Sequence, residues 1–301
     1  MKFQPDRLAA EISANGITDV FGIPGSGSSL ELIDAFERHG VAFHRVHFEG
    51  SAAMMAGSNA RVSGGVGVAI SIKGPGLVNM LPGLALCSLE NYPIVALCES
   101  HTKSDLEKSV HKVIDHGQLV FPLAKCVIGL KRNSCGFPDA KDLAKGEKPG
   151  VVVLNLSSEL DSRTGDRISR KTHTGPSEDV GNVLNALERC RKPIVIVGSY
   201  GHRQGWMSQL EQLSVPLFTT AAAKGTIDES QAYSAGVFTG AGLEKSLEYG
   251  LLGECDLVVG FGLEKQELLS FDCFTCPLIN VVNSNTFGTL GSRRWTAQRS
   301  F

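Results

Sequence analysis

Short apolar runs rich in Val and Ile, bounded by glycine, alternate along this chain with longer segments of helical spacing. The runs at 19–23, 66–72, 94–98, 151–156, 194–198, 257–260 and 278–282 are near-continuously apolar, which is the pattern of parallel strands covered on both faces. Between them, 5–15, 29–38, 49–63, 76–89, 177–189, 206–213 and 243–251 carry apolar residues at helical intervals. Strand and helix in alternation point to the α/β class, with parallel sheets and helices on both faces. The stretch 157–177 is polar, charged and without period, and it divides the pattern in two. We therefore expect two consecutive three-layer α/β/α domains with mainly parallel sheets. The first spans 1–160, a linker 161–177, the second 178–283, and a tail without core pattern 284–301.

Composition narrows the functional classes. The chain has 301 residues, room for two domains at about 150 each. Its 29 Lys and Arg stand against 31 Asp and Glu, a formal net charge of −2. A nucleic-acid partner would call for a clustered basic excess, and the sequence has none. No apolar run approaches the roughly 20 residues of a membrane helix. The start, MKFQPDRLAAEISANG, has no secretory apolar core. The expectation is a soluble cytoplasmic protein. Its 8 cysteines lie mostly in apolar stretches and read as buried, reduced thiols. Cys273-Phe-Thr-Cys276 is a single CxxC with no second pair or nearby His, a weak zinc signal.

Three stretches carry the chemistry. Val20-Phe-Gly-Ile-Pro24-Gly25-Ser26 is a strand end, a Pro-Gly turn and the approach to a helix. Ligands of open α/β sheets sit beyond the carboxyl ends of strands, where this turn lies. In His47-Phe-Glu49-Gly-Ser-Ala-Ala-Met-Met-Ala-Gly57-Ser-Asn-Ala-Arg61, one acid precedes a helix of small and apolar residues that reads as buried on nearly every face. Glu49 either stabilises that helix start or, at a poorly hydrated edge, holds a proton more tightly and exchanges it. The third stretch, Ser71-Ile-Lys73-Gly74-Pro75-Gly76-Leu-Val-Asn79, is again strand, glycine turn and helix. Its glycines let backbone approach a ligand closely.

In this order and spacing the three stretches resemble the thiamine diphosphate enzymes of the acetohydroxyacid synthase, pyruvate oxidase and benzoylformate decarboxylase superfamily. The resemblance covers 3–160, similar to their pyrimidine-binding domain, and 178–283, similar to their cofactor-free central domain. There it rests on Lys192–Gly198, on Pro216-Leu-Phe-Thr-Thr220 with Lys224-Gly225, and on Cys255-Asp256-Leu-Val-Val-Gly-Phe-Gly262. It implies that Glu49 hydrogen-bonds N1′ of the coenzyme aminopyrimidine, whose imino form then removes the thiazolium C2 proton, so that a 2-keto acid can be decarboxylated. Gly74, Pro75 and Asn79 match the wall beside the pyrimidine. Pro24, Gly25 and Ser26 match a substrate-side loop, with Ser26 where the benzoylformate decarboxylases meet the substrate carboxylate. Lys73 stands where a small hydroxyl residue is usual, either to bind an acidic substrate group or as a solvated charge. The family's Phe-Gln pair before Pro122 is replaced by His111-Lys-Val-Ile-Asp115-His116. His111 falls near an active-site histidine of the pyruvate decarboxylases, or is a surface histidine.

The superfamily's diphosphate-binding domain anchors magnesium through Gly-Asp-Gly and a downstream Asn-Asn. Gly165-Asp166-Arg167 lacks the second glycine, and no Asn-Asn follows it. The expectation is therefore half a cofactor site: thiamine diphosphate shared with a partner chain, Mg2+ held on that partner, no metal ligands here, and FAD not expected, although the resemblance implies that any nucleotide bound by the central domain would be FAD or ADP. The reading is a subunit of a split, acetolactate synthase-like decarboxylase or carboligase. It forms a hetero-oligomer and self-associates, with a small 2-keto acid as substrate. The alternative is a non-catalytic paralogue or regulatory subunit. Gly198-Ser-Tyr-Gly201-His-Arg-Gln-Gly205 does not fit the spacing of a dinucleotide loop.

Overall fold

Near-continuous apolar strands need helices on both faces, and the first half of the chain provides them. The computed structural model describes residues 4–25, 27–101, 111–130, 136–146, 148–156, 180–205, 210, 212–270, 272–283 and 286–288. The chain divides into two compact units, Met1–Lys171 and Thr172–Phe301. The expected linker and most of the expected tail lie outside the described residues.

In the first unit, β1 (Asp19–Gly22), β2 (Ala42–Arg45), β3 (Gly67–Ser71), β4 (Ile94–Cys98), β5 (Ala124–Gly129) and β6 (Val151–Asn155) form one parallel sheet, ordered β2-β1-β3-β4-β6-β5. Every residue of β3, β4 and β6 is buried. On one face lie α1 (Pro5–Ala14), α2 (Ser28–Arg38) and α6 (Phe137–Lys145), which bring Leu8, Ile12, Leu32, Phe36 and Phe137 against Val68, Ile70, Val95 and Leu97. On the other lie α3 (Glu49–Ser63), α4 (Pro75–Leu89) and α5 (His116–Val120), with Ala52, Ala56, Leu77, Met80 and Leu84 against Ala69, Ala96 and Cys98. The small residues of α3 serve close approach. A Cβ on Gly83 of α4 would run into the Gly50 carbonyl oxygen, so the two helices meet backbone to backbone.

The second unit carries β7 (Pro193–Val197), β8 (Leu217–Thr220), β9 (Ser234–Phe238), β10 (Leu257–Phe261), β11 (Leu278–Asn283) and β12 (Thr286–Gly288), ordered β12-β11-β10-β7-β8-β9. All pairs are parallel except β11 with β12. Its helices include α7 (Val180–Arg189), α8 (Ser199–Gln204) and α9 (Leu247–Glu254). Both sheets are mainly parallel and flanked by helices, as the alternation required.

The differences have physical causes. The expected helix 243–251 begins four residues later, where the Ser246 hydroxyl accepts from the Tyr249 amide at 3.2 Å and fixes the first turn. The expected helix 206–213 falls largely outside the described residues. Within the expected tail, Thr286–Gly288 adds an antiparallel edge strand. Helix α3 is not covered all round, because Met54, Met55 and Val62 are exposed. Among the cysteines, Cys87, Cys98 and Cys126 are buried as expected, whereas Cys190, Cys255, Cys273 and Cys276 are only half-buried. Cys135 lies outside the described residues.

Candidate active site

Strand order locates the site. The chain leaves β1 for β2 on one side and returns to β3 on the other, so the carboxyl ends of β1 and β3 border a topological switch point, where α/β sheets open a crevice. The turn carrying Pro24 and Gly25 follows β1, and the turn carrying Lys73, Gly74 and Pro75 follows β3. Both glycine turns thus meet at one crevice. A Cβ on Gly25 would run into Ile72, so the two turns touch only because residue 25 has no side chain.

Glu49 is the first residue of α3, which carries the chain from β2 back to β3. Its side chain is 6% exposed. Among the described residues no hydrogen bond or ion pair engages its carboxylate. One carboxylate oxygen lies 3.5 Å from where a Cβ of Gly76 would sit, so Glu49 faces the first turn of α4. An ionised carboxylate only accepts hydrogen bonds, and this one is engaged by no protein donor among the described residues. It therefore fits a ligand that brings an N–H or O–H donor to the switch point. Asn79, one turn into α4, is exposed beside Gly50, and Pro75 is exposed at the start of the same helix. Pro24 is exposed and Gly25 half-buried across the crevice. Ser26 lies outside the described residues.

The Gly74 turn is held by groups that local sequence pattern does not reveal. Gly74 has φ +62° and ψ −107°, and a Cβ there would collide with the Lys112 carbonyl oxygen. Its amide donates to His116 Nε2 at 3.2 Å, and His116 Nδ1 lies 2.8 Å from Asn155 Oδ1. An amide N–H can only donate and an amide oxygen can only accept, so the ring is neutral with its proton on Nδ1. Burial pushes the His116 pKa down, in agreement with that geometry. The buried histidine of the 111–116 stretch is thus His116. His111 is exposed, and its carbonyl oxygen meets the His101 ring at 2.9 Å. Lys73 is half-buried, with no carboxylate against it among the described residues.

Glu99 plays the matching part under the first turn. It directly follows β4, is 7% exposed, and accepts from the Ser29 amide at 2.7 Å; the Ser29 hydroxyl accepts from the Gly25 amide at 3.1 Å. Ser71, Glu99 and Asn155 stand at the carboxyl ends of the adjacent strands β3, β4 and β6. A polar residue closing an apolar run is the signal by which sequence could have found the last two.

The second unit is arranged differently. The amide of Ser199, at the start of α8, donates to Glu267 at 2.9 Å, and the Thr220 hydroxyl donates to the same carboxylate at 3.2 Å. A side-chain carboxylate thus stands where a nucleotide phosphate would need the helix start. Burial raises the Glu267 pKa, against the hydrogen bond from Ser199. Among the described residues no group of three or more His, Cys, Asp or Glu is placed to hold a metal ion, and no helix is long and apolar enough to cross a membrane.

Residues 5–119 match the family described as thiamine pyrophosphate enzyme, N-terminal TPP binding domain. An acetolactate synthase of Arthrospira platensis is 26% identical over 280 residues, 85% of this chain and 48% of that protein. The acetolactate synthase isozyme 2 large subunit of Escherichia coli (strain K12) is 27% identical over 263 residues, 83% of this chain and 47% of that protein. A catabolic acetolactate synthase of Raoultella terrigena is 27% identical over 202 residues, 64% of this chain and 36% of that protein. The chain spans about half, or less, of the length of these relatives.

Proposed function

We propose that this chain, whose residues 5–119 match the thiamine pyrophosphate enzyme N-terminal TPP binding domain, supplies the pyrimidine-binding half of a 2-keto acid decarboxylase or carboligase of the acetolactate synthase kind. The observation that carries the reading is Glu49, a residue 6% exposed with no protein partner for its carboxylate among the described residues, facing the first turn of α4 that follows the Gly74 turn.

Thiamine diphosphate, when bound, supplies the carbon nucleophile and electron sink that decarboxylation of a 2-keto acid requires. Glu49 would accept a hydrogen bond from the protonated ring nitrogen of the aminopyrimidine and hold that proton through the cycle. Gly74, Pro75 and Asn79 would wall the ring. Gly74 lets backbone come close, and His116 fixes the turn through the Gly74 amide. Pro24 and Gly25 would border the substrate with Ser26, and Lys73 would attract the anionic keto acid.

The diphosphate and Mg2+ anchor would come from outside these 301 residues, on a partner subunit in our reading. The outward faces of α3 and α4 expose Met54, Met55, Val62, Val78, Leu86 and Leu89, with Phe48 at the start of α3. Several apolar side chains exposed on the two helices that carry Glu49 and Asn79 suit coverage by that diphosphate-binding domain. Self-association and a cytoplasmic location belong to the same proposal.

The test mixes the purified chain with a polypeptide bearing Gly-Asp-Gly and a downstream Asn-Asn, thiamine diphosphate, Mg2+ and pyruvate or another 2-keto acid. Carbon dioxide release and deuterium exchange at the coenzyme C2 position are the readouts. The native chain should support both. Glu49→Gln should lower C2 exchange about 10²–10⁴-fold with the thermal unfolding midpoint unchanged. Wild-type exchange in that variant refutes the role of Glu49. Coenzyme binding with neither exchange nor turnover in the native mixture would favour the non-catalytic paralogue.

A further inference from the structure

Away from the switch point, the second unit brings two cysteines from separate stretches together. Cys255 follows the last residue of α9, two residues before β10, and Cys276 lies two residues before β11. The strands are parallel neighbours, with Val258 opposite Leu278, so both thiols sit at the amino-terminal edge of the sheet. Their sulfur atoms are 3.1 Å apart. A disulfide bond is about 2.05 Å long, so closing it needs about 1 Å of movement. Both side chains are half-buried, open to a small oxidant. Cys273, the other member of the CxxC, points its sulfur to the Ser270 carbonyl oxygen at 3.5 Å.

We propose that Cys255 and Cys276 form a reversible intramolecular disulfide when the protein meets a peroxide. Either sulfur can donate across this contact; with Cys255 as the donor, the Cys276 pKa is lowered and that of Cys255 raised, which makes Cys276 the attacking group. Burial pushes Cys273 up to about 11, so it is the poorer nucleophile. The Cys276 thiolate attacks one peroxide oxygen; an S–O bond forms, the O–O bond breaks and hydroxide leaves. The Cys255 sulfur then attacks the Cys276 sulfur; the S–S bond forms, the S–O bond breaks, and the departing hydroxide takes the Cys255 proton as water. In sum, two thiols lose two electrons and two protons, and one peroxide becomes two waters. The bond staples β10 to β11 and closes the loop 255–276, which contains Glu264 and Glu267. A dithiol reductant reverses it.

The experiment treats the intact chain with one equivalent of hydrogen peroxide, then counts thiols in denaturant and maps disulfides by mass spectrometry after alkylation. The 8 thiols of the sequence should fall to six, with a Cys255–Cys276 peptide pair, and dithiothreitol should restore all of them. Cys255→Ser and Cys276→Ser should each abolish the linkage, and Cys273→Ser should leave it intact. A linkage that includes Cys273, a covalent dimer on a non-reducing gel, or Cys276 oxidised beyond the sulfenic stage without a disulfide would each overturn the proposal. Peptide mapping of the unmutated chain decides the matter even where a serine variant fails to fold.

Discussion

Replacing His116 with leucine removes a ring that serves two buried polar groups at once. The Gly74 amide loses its acceptor and Asn155 Oδ1 its donor, while a branched side chain fills much of the space. Asn155 is 1% exposed, and Gly74 is buried beneath the Lys112 carbonyl. Each buried group left unpaired costs about 1–3 kcal/mol, so His116→Leu should destabilise the protein by about 2–6 kcal/mol. Asn155→Leu alone strands only the Nδ1–H of His116 and should cost about 1–3 kcal/mol. The double variant leaves a single orphan, the Gly74 amide, because an apolar pair replaces the His–Asn pair. It should therefore be no less stable than His116→Leu alone, although it carries one more substitution. Urea unfolding with a constant m-value measures each corner of the cycle. Stabilities that add to within about 0.5 kcal/mol, or a His116→Leu protein within about 0.5 kcal/mol of the native one, would show that the ring does not bridge the two groups.

The other expectations are simpler. His116 has a lowered pKa in the folded protein, so below about pH 6.5 the unfolded chain binds the extra proton first. Its share of stability, intact above that value, should fall as the pH drops toward the folded pKa, by up to about 1.4 kcal/mol per unit. Comparing unfolding of the native and His116→Leu proteins between about pH 5 and 8 isolates it, and identical slopes would contradict the assignment. Gly74→Ala places a Cβ against the Lys112 carbonyl at φ +62° and should cost at least about 2 kcal/mol. Gly16→Ala, at φ +79° with nothing within 4 Å, should cost only the conformational part, about 1–2 kcal/mol. Equal losses on thermal unfolding would deny the Lys112 contact any weight. Glu99→Ala strands the Ser29 amide and should speed its hydrogen exchange about tenfold or more, whereas Glu99→Gln, which keeps an acceptor oxygen, should move it less.

The sequence shows best what the fold buries symmetrically. β3, β4 and β6 lie in the interior of their sheet, and their runs mark them out within a residue or so. The edge strands of that sheet were not legible. Ala42-Phe-His-Arg45 is largely exposed, and Ala124-Lys-Cys-Val-Ile-Gly129 carries a lysine mid-run. In the second unit β8 is only four residues long and half threonine, β9 opens on small residues with Gly236 at φ +87°, and β12 is a three-residue edge. Helices α3 and α4 were legible because their ends are punctuated, with Gly64 at φ +68° closing one and Pro75 opening the other.

At the site, glycine turns and an acid before a small-residue helix are local patterns, and a single chain displays them. The groups that hold those turns are pairings across distance. His116 reaches Gly74 over 42 positions, Asn155 reaches His116 over 39, and Glu99 reaches Ser29 over 70. No window of sequence contains both partners, so periodicity cannot find them. The second unit shows why a polar residue at a strand end is still not enough to mark a site. There Ser199, Thr220 and Glu267 gather in the same way, yet the Ser199 amide and Thr220 hydroxyl both donate to Glu267. What sets Glu49 apart is that no partner meets its carboxylate among the described residues. Its oxygens are engaged by no protein donor among them, so a ligand that brings an N–H or O–H to the crevice meets a free acceptor.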